Sequence, residues 1–142
     1  MSALPPVPGA RRPMRIFVVE NHEDTRFLLC LLLEQLGHTV LSAPSLAAAL
    51  EAMPAARCDV LISDIGLPDG NGWDLMTRLG DARPPYAIAM SGFGMSSDRQ
   101  RSLNVGYRHH LLKPVEPNQL ERLLDEAADE TDPIAGRRGR QA

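Results

Sequence analysis

The sequence predicts an α/β domain with a doubly wound, five-stranded parallel sheet and helices on both of its faces. Two observations support this fold class. Short apolar runs rich in β-branched residues, such as residues 16–19 and 60–62, are typical of strands that are covered on both sides. Segments with apolar residues at helical spacing alternate with these runs. Such alternation implies a parallel sheet, because parallel neighbours are joined by right-handed crossovers that place helices on the faces.

The first half of the chain is expected to form two strand–helix units. The predicted elements are a strand at 16–19, a helix that ends before Gly37, a strand at 39–41 and a helix at 46–53. The first helix is indicated by apolar residues at helical spacing, namely Phe27, Leu28, Leu31, Leu32 and Leu36. Gly37 suits a left-handed helix stop. Ser45 is the expected N-cap of the second helix, and Pro54 is its expected end.

The second half is expected to add three further strands and three helices. The predicted elements are a strand at 60–62, a helix at 73–79, a strand at 86–90, a helix at 96–105, a strand at 107–112 and an amphipathic helix at 118–130. Residues 65–72 contain one proline and three glycines. We expect this segment to be an irregular loop, because proline and glycine favour turns.

The length of 142 residues suits one compact domain, which we place at residues 14–130. Residues 1–13, with four prolines, and residues 131–142, which are basic, are expected to be unstructured tails. No apolar run has the length of a membrane span or the pattern of a secretory signal, and the two cysteines have no metal-binding spacing. We therefore expect a cytoplasmic protein with reduced thiols and no membrane contact.

The charge of the domain argues against direct binding of nucleic acid. Residues 14–130 contain ten basic and 17 acidic residues, a net charge of −7. Nucleic-acid binding depends on clustered basic side chains that neutralise phosphates. Of the 15 basic residues only Lys113 is a lysine. A lone flexible ammonium suggests a site that requires its geometry, although a single residue can also arise by chance.

Polar residues stand at the carboxyl ends of four predicted strands. Glu20 and Asn21 follow the first strand, Asp64 the third, Ser91 the fourth and Lys113 the fifth. In open parallel sheets, ligands bind beyond the carboxyl ends of the strands. We therefore expect these five side chains to form one site.

This set of residues is suited to phosphoryl transfer. The carboxylate of Asp64 can attack phosphorus and form an acyl phosphate. Mg²⁺ prefers hard oxygen ligands, and plausible donors are the side chains of Glu20, Asp64 and Asn21 and the carbonyl of Gly66. On the other side, Lys113 and the Ser91 hydroxyl could bind phosphoryl oxygens.

Four segments together resemble a known family. In chain order they are FVVENHEDTRFLL, LISDIGLPDGNGWDL, AIAMSGFG and HHLLKPVEP. In their order and spacing these segments resemble those of the receiver domain of two-component response regulators, across residues 14–130. Their amino-acid sequences look most similar to receivers attached to hybrid histidine kinases. The resemblance implies a flavodoxin-like, CheY-like fold with five βα units, and a cis peptide between Lys113 and Pro114.

The resemblance also implies function. Asp64 would be phosphorylated by a histidine kinase or a histidine phosphotransfer protein, with Mg²⁺ as cofactor. Ser91 would be a switch residue whose hydroxyl moves toward the phosphoryl group, and His110 would occupy the position of an aromatic switch residue. The signal would pass to a downstream protein target through the surface of the fourth and fifth helices and the fifth strand. The protein would be a monomer or a weak, phosphorylation-dependent homodimer, with no enzymatic activity beyond Mg²⁺-dependent self-phosphorylation and dephosphorylation.

Several alternatives remain at this stage. Family members usually have a second acid where this chain has Asn21, so the chain could be a degenerate receiver that only binds a partner. An aspartate-nucleophile phosphatase would need a carboxylate two residues after the nucleophile, where this chain has Gly66. Individually, Asp64 could cap a turn, Ser91 could satisfy the backbone, and His110 could be structural.

Overall fold

The computed structural model describes residues 12–92 and 96–131, and of Ser96 and Ser97 only the backbone. Five strands form one parallel sheet in the order β2-β1-β3-β4-β5. The strands are β1 Arg15–Val19, β2 Thr39–Ala43, β3 Val60–Asp64, β4 Tyr86–Ser91 and β5 His109–Leu112. The helices are α1 Glu23–Gln35, α2 Leu46–Ala56, α3 Gly72–Leu79, α4 Ser96–Asn104 and α5 Pro117–Thr131. The predicted α/β fold class and the alternation of its elements are confirmed.

The strand order brings the ends of the strands to a common edge. β1 pairs with both β2 and β3, and the last pair in the register of β3 and β4 is Asp64 with Met90. β4 and β5 end together, with Ser91 opposite Leu112. The direction in which the chain adds strands reverses at β1, which leaves a crevice beyond the carboxyl ends of β1 and β3.

The core has two layers because alternate strand residues face opposite sides of the sheet. Ile16 and Val18 pack with residues of α1 and α5. Phe17 and Val19 pack with residues of α2 and α3. Each fully buried aliphatic or aromatic side chain of this kind contributes about 1.5–3 kcal/mol to folding. The sheet is therefore a rigid platform for the residues at its edge.

The helix α1 is present as predicted, but the apolar residues that indicated it are not the ones that it buries most deeply. Leu29 and Leu33 are buried against the sheet, whereas Phe27 and Leu28 are 64% and 62% exposed, and Leu31 is also exposed. Residues 27–33 form a continuous apolar run, so helical spacing alone permits more than one buried face. The register against the sheet selects Leu29 and Leu33, and an apolar surface is left facing outward.

Two further expectations were wrong in detail. α2 continues through Pro54 to Ala56 and ends at Arg57, which has a left-handed φ of 51°. Pro54 lies in the last turn, where its missing N–H costs the helix only one hydrogen bond. The segment predicted as an irregular loop contains a small antiparallel hairpin, Gly66–Leu67 with Gly70–Asn71. The intervening proline and aspartate fit the central positions of a tight turn.

The peptide between Lys113 and Pro114 is cis, as predicted. Cys30 and Cys58 are free. Within the described segments, no helix combines the length and apolar character needed to cross a bilayer. Residues 1–11 and 132–142, which make up most of the predicted tails, lie outside the described residues.

Candidate functional site

Three strand ends meet at the ammonium of Lys113. Its Nζ donates a hydrogen bond of 2.7 Å to Asp64 Oδ2 and a second hydrogen bond to Glu20 Oε1. Lys113 follows β5 and therefore reaches across the end of β4 to contact residues that follow β1 and end β3. The predicted convergence of Glu20, Asp64 and Lys113 is thus present in the folded chain.

Glu20 is fully buried and is held at several atoms. Its Oε2 accepts a 3.0 Å hydrogen bond from the backbone N–H of His22, and its carbonyl accepts one of 2.8 Å from the Arg26 guanidinium. The His22 side chain in turn accepts from Thr25 N and caps α1. The turn after β1 is therefore tied to the first turn of α1, which fixes the direction of the Glu20 carboxylate.

Neighbouring residues contact both the side chain and the backbone carbonyl of Asp64. It is 7% exposed, its Oδ1 accepts a long hydrogen bond of 3.3 Å from Gly66 N, and its carbonyl accepts from Ser63 Oγ at 2.9 Å. A Cβ atom at Gly72 would lie only 2.7 Å from the Asp64 carbonyl oxygen. Tyr107 Oη donates to the Gly72 carbonyl at 2.7 Å. Glycine is required at position 72 because α3 begins directly against the backbone of Asp64.

Burial and charge act in opposite directions on the ionisable groups. Burial raises the pKa of Asp64, and the neighbouring Glu20 adds to the rise, while the hydrogen bond from Lys113 opposes it. Burial alone would lower the pKa of Lys113, but its hydrogen bonds to Asp64 and Glu20 outweigh this, and the pKa is raised. With both acids ionised, two carboxylates face one ammonium, so the site favours an additional cation.

The donor set fits Mg²⁺. Glu20 and Asp64 point their carboxylates at one position, Asn21 is exposed next to Glu20, and Gly66 lies two residues after Asp64. Over residues 12–92 and 96–131, no group of three or more His, Cys, Asp or Glu residues could hold a metal ion. A bound Mg²⁺ would therefore combine two carboxylates with neutral oxygens and water, which suits a hard cation that keeps part of its hydration shell.

Ser91 and His110 are joined in a buried polar cluster. His110 Nε2 lies 2.7 Å from Ser91 Oγ, and His110 Nδ1 lies 2.7 Å from Ser102 Oγ. Trp73 Nε1 donates to Ser102 Oγ at 2.9 Å. Burial lowers the pKa of His110, and the nearby Arg99 guanidinium lowers it further, so the neutral imidazole is favoured. The switch roles of Ser91 and His110 stay predictions, but the two side chains are in direct contact.

Sequence reasoning did not identify three residues that shape this site. Arg26 holds the carbonyl of Glu20, Gly72 permits the approach of α3, and Ser102 binds His110. Ser102 lies in a polar helix and carries no local signal of burial. Gly72 was recognised only as a loop residue, and its role depends on a contact that spacing along the chain does not reveal.

Comparison with known proteins supports one family. The family described as response regulator receiver domain matches residues 16–125. The chain is 36% identical over 118 residues to an uncharacterized 14.6 kDa protein in the sodA1 3′ region of Leptolyngbya boryana, which covers 80% of this chain and 88% of that protein. It is 33% identical over 123 residues to the virulence sensor protein BvgS of Bordetella bronchiseptica, covering 81% of this chain but 10% of that protein.

Solved structures agree with this likeness. A CheY-like response regulator receiver domain protein from Methanospirillum hungatei JF-1 superposes with a TM-score of 0.78 at 26% identity, over 84% of this chain and 97% of that one. The N-terminal domain of an uncharacterized protein from Wolinella succinogenes gives a TM-score of 0.74 at 28% identity, over 80% and 93% of the two chains. From its sequence match and its fold together, the chain belongs to the response regulator receiver domain family.

Proposed function

We propose that this receiver accepts a phosphoryl group on Asp64 from a histidine kinase or a histidine phosphotransfer protein, and that it signals through phosphorylation-dependent protein contacts. The observation that carries the proposal is the meeting of Asp64, Glu20 and Lys113 at one point. This arrangement combines a nucleophilic oxygen, a cation-binding pair of carboxylates and a flexible ammonium, the parts that phosphoryl transfer requires.

Each residue has a distinct part in the proposed reaction. An Asp64 oxygen attacks phosphorus, and the bond from phosphorus to the donor nitrogen breaks as the acyl phosphate forms. Lys113 turns from the two carboxylates toward a phosphoryl oxygen, which its flexible stem permits. Glu20, Asp64, Asn21 and the Gly66 carbonyl would hold Mg²⁺, which when bound neutralises charge on the phosphoryl oxygens.

The surface beside the site favours a protein as the phosphoryl donor. The exposed residues Phe27, Leu28 and Leu31 lie on α1, which starts three residues after Glu20. Leu28 also lines a groove of about 540 Å³ together with Lys113 and Pro114. A small phosphodonor would not cover this apolar surface. A partner protein could bury it while it presents a phosphohistidine to Asp64.

We place the contact with a downstream target on α4, β5 and α5. Leu103 of α4 and Leu112 of β5 are exposed, and Leu103 lines a second groove of about 330 Å³ with Arg108 and Gln119. His110 joins this surface to Ser91. A change at Ser91 can therefore reach the surface within one side-chain contact.

The proposal is tested by phosphorylation with acetyl phosphate and Mg²⁺, followed by intact-mass measurement. Wild-type protein is expected to gain one phosphoryl group, and Asp64→Ala is expected to gain none. Transfer from candidate histidine kinases then identifies the donor. If no donor labels the wild type, or if the label persists in Asp64→Ala, Asp64 is not the acceptor, and a phosphorylation-independent binding module becomes the better description.

The neutral residue Asn21 predicts weak metal binding. Asn21→Asp should tighten Mg²⁺ binding about tenfold or more, because hard cations are held largely by ligand charge. Titration calorimetry or Trp73 fluorescence measures the affinity, and Asn104→Asp supplies the same charge change in α4 away from the site. Equal affinities in wild type and Asn21→Asp would show that residue 21 is not a ligand.

A further inference from the structure

A continuous hydrogen-bonded chain links the end of β4 to the start of α3. Its members are Ser91 of β4, His110 of β5, Ser102 of α4 and Trp73 of α3, and its three contacts measure 2.7, 2.7 and 2.9 Å. Ser102 is 0% exposed and His110 is 7% exposed, so water does not compete for these bonds. A phenyl ring at position 110 could bond neither serine, and a phenol would offer one hydroxyl oxygen in place of the two separate ring nitrogens.

The donors and acceptors of this chain depend on one another. Trp73 can only donate, so it occupies one lone pair of Ser102 Oγ. If the Ser102 hydroxyl donates to His110 Nδ1, a neutral imidazole carries its proton on Nε2 and donates to Ser91. The Ser91 hydroxyl proton then points to an acceptor other than His110. In the other tautomer, Ser91 donates to Nε2 and Nδ1–H donates to Ser102.

We propose that Ser102 and Trp73 are positioning residues of the phosphoacceptor site, which act through the His110 tautomer to set where Ser91 directs its hydroxyl proton. The inference rests on the proposed phosphorylation of Asp64. When the Ser91 hydroxyl donates to a phosphoryl oxygen, it must accept from His110, which requires the Nε2–H tautomer. All four donors from Trp73 to Ser91 then point in one direction, and a chain of aligned hydrogen bonds is mutually strengthening.

The hydrogen-bonded chain, which we call the relay, connects the surface of α3 and α4 to the phosphorylation state of Asp64. The guanidinium of Arg101 stacks 4.0 Å from the centre of the Trp73 ring, on the outside of the same cluster. By thermodynamic reciprocity, phosphorylation that favours the aligned chain stabilises the Trp73–Ser102 contact, and that contact stabilises the phosphorylated state by the same amount. A partner that recognises Trp73 and Arg101 would therefore sense the state of Asp64.

The test combines ¹⁵N NMR of the histidine rings with Trp73 fluorescence and intact mass in the same samples. The His110 signals are assigned by their loss in His110→Ala. On phosphorylation, wild-type His110 should be in the Nε2–H form and the Trp73 emission should change. Ser102→Ala should still be phosphorylated, but it should lose both the tautomer preference of His110 and the change in Trp73 emission. The rate at which its phosphoaspartate forms or hydrolyses should differ from wild type about fivefold, which is the size of effect expected for one hydrogen bond.

A matched control and the contrary outcomes make the test decisive. Thr77→Val removes a hydroxyl that donates to the Trp73 carbonyl at 3.2 Å but leaves the indole contact intact, so it should behave as wild type. If phosphorylated Ser102→Ala matches the wild type in tautomer and emission, the relay is refuted. If the wild type gains no phosphoryl group, the proposed function fails separately. In that case the unmodified protein tests the effect of Ser102 on His110 alone: an unchanged His110 tautomer in Ser102→Ala would overturn this effect, and a shifted tautomer would support it.

Discussion

Asp64 is under opposing demands from stability and from chemistry. Its carboxylate is 7% exposed, and burial raises its pKa. An ionised group in such a position lowers folding stability, yet the ionised form is the nucleophile of the proposed phosphoryl transfer. Lys113 relieves part of this cost through its hydrogen bonds to Asp64 and Glu20. The proposed function therefore requires a charged group that lowers the folding stability of the site.

We expect Asp64→Asn to stabilise the protein at pH 7 by about 1 kcal/mol. The folded-state pKa of Asp64 is raised, so the cost of ionisation is fully present above that pKa and vanishes below the unfolded value. The gain should therefore shrink as the pH falls through the folded-state pKa. Urea unfolding between pH 7 and pH 3 measures the difference in the free energy of unfolding.

Asp69 provides a control of opposite sign. Its carboxylate accepts hydrogen bonds from Ala47 N at 2.9 Å and Leu46 N at 2.8 Å, which lower its pKa. Asp69→Asn should destabilise the protein at pH 7, and this loss should fade as the pH falls. If both substitutions change stability in the same direction, burial does not govern the ionisation of Asp64.

Residue identities at the strand ends were predictable, but their supporting contacts were not. Glu20, Asp64 and Lys113 follow strands whose apolar pattern is clear, so their convergence follows from the parallel sheet. Ser102 lies in α4 and His110 in β5, so their contact cannot be predicted from the spacing of residues within one helix or strand. Sequence patterns report local structure and orientation, whereas contacts of this kind depend on how two elements are placed in space.

Among the elements, the hairpin after β3 is held by contacts with α2 and with the backbone next to Asp64. Asp69 caps the first turn of α2 from the hairpin, and Gly72 N donates to the Ile65 carbonyl at 2.9 Å. A Cβ atom at Gly70 would lie 2.5 Å from the side chain of Leu46. The loop was expected to be irregular because of its glycines, but two of them permit close packing against α2 and against Asp64.

The substitution Gly72→Ala tests this packing. The added methyl group would meet the Asp64 carbonyl oxygen at 2.7 Å and the Tyr107 hydroxyl at 3.1 Å, so the backbone must shift. We expect a loss of about 1–3 kcal/mol in unfolding free energy and slower phosphorylation by acetyl phosphate. Gly66→Ala is the matched control, because a methyl group there would meet no atom within 4 Å and the N–H is kept. Equal effects of the two substitutions would contradict the steric explanation.

The helix α1 shows where element prediction from sequence reaches its limit. The existence of the helix follows from its apolar content and from the acids Glu23 and Asp24 in its first turn. Its orientation does not, because apolar residues surround the helix and only the sheet selects the buried face. The exposed Phe27 and Leu28 thus became visible only in the fold.

Across the whole molecule, the surface on α1 that we propose for the phosphoryl donor and the surface on α4, β5 and α5 that we propose for the target lie on different helices. Mutations can therefore separate them. Leu28→Gln on α1 should slow phosphotransfer from a protein donor about tenfold, or about 1.4 kcal/mol, while labelling by acetyl phosphate is unchanged. Leu103→Gln, an exposed leucine on α4, is the control and should leave both reactions unchanged. Stopped-flow or autoradiographic transfer assays measure the rates. Equal slowing by both substitutions would show that the donor does not dock on α1.

The two ends of the described chain lie side by side near the start of β1, whereas Glu20, Asp64 and Lys113 meet at the carboxyl ends of the strands. The Arg12 guanidinium donates to Thr131 Oγ1 at 2.5 Å, and the same hydroxyl contacts Met14 Sδ. Because the two ends are close together, the domain could be inserted into a longer polypeptide, or its ends joined and the chain opened elsewhere, without a linker that passes Glu20, Asp64 and Lys113. A reporter fused at either end should therefore leave labelling of the aspartate intact.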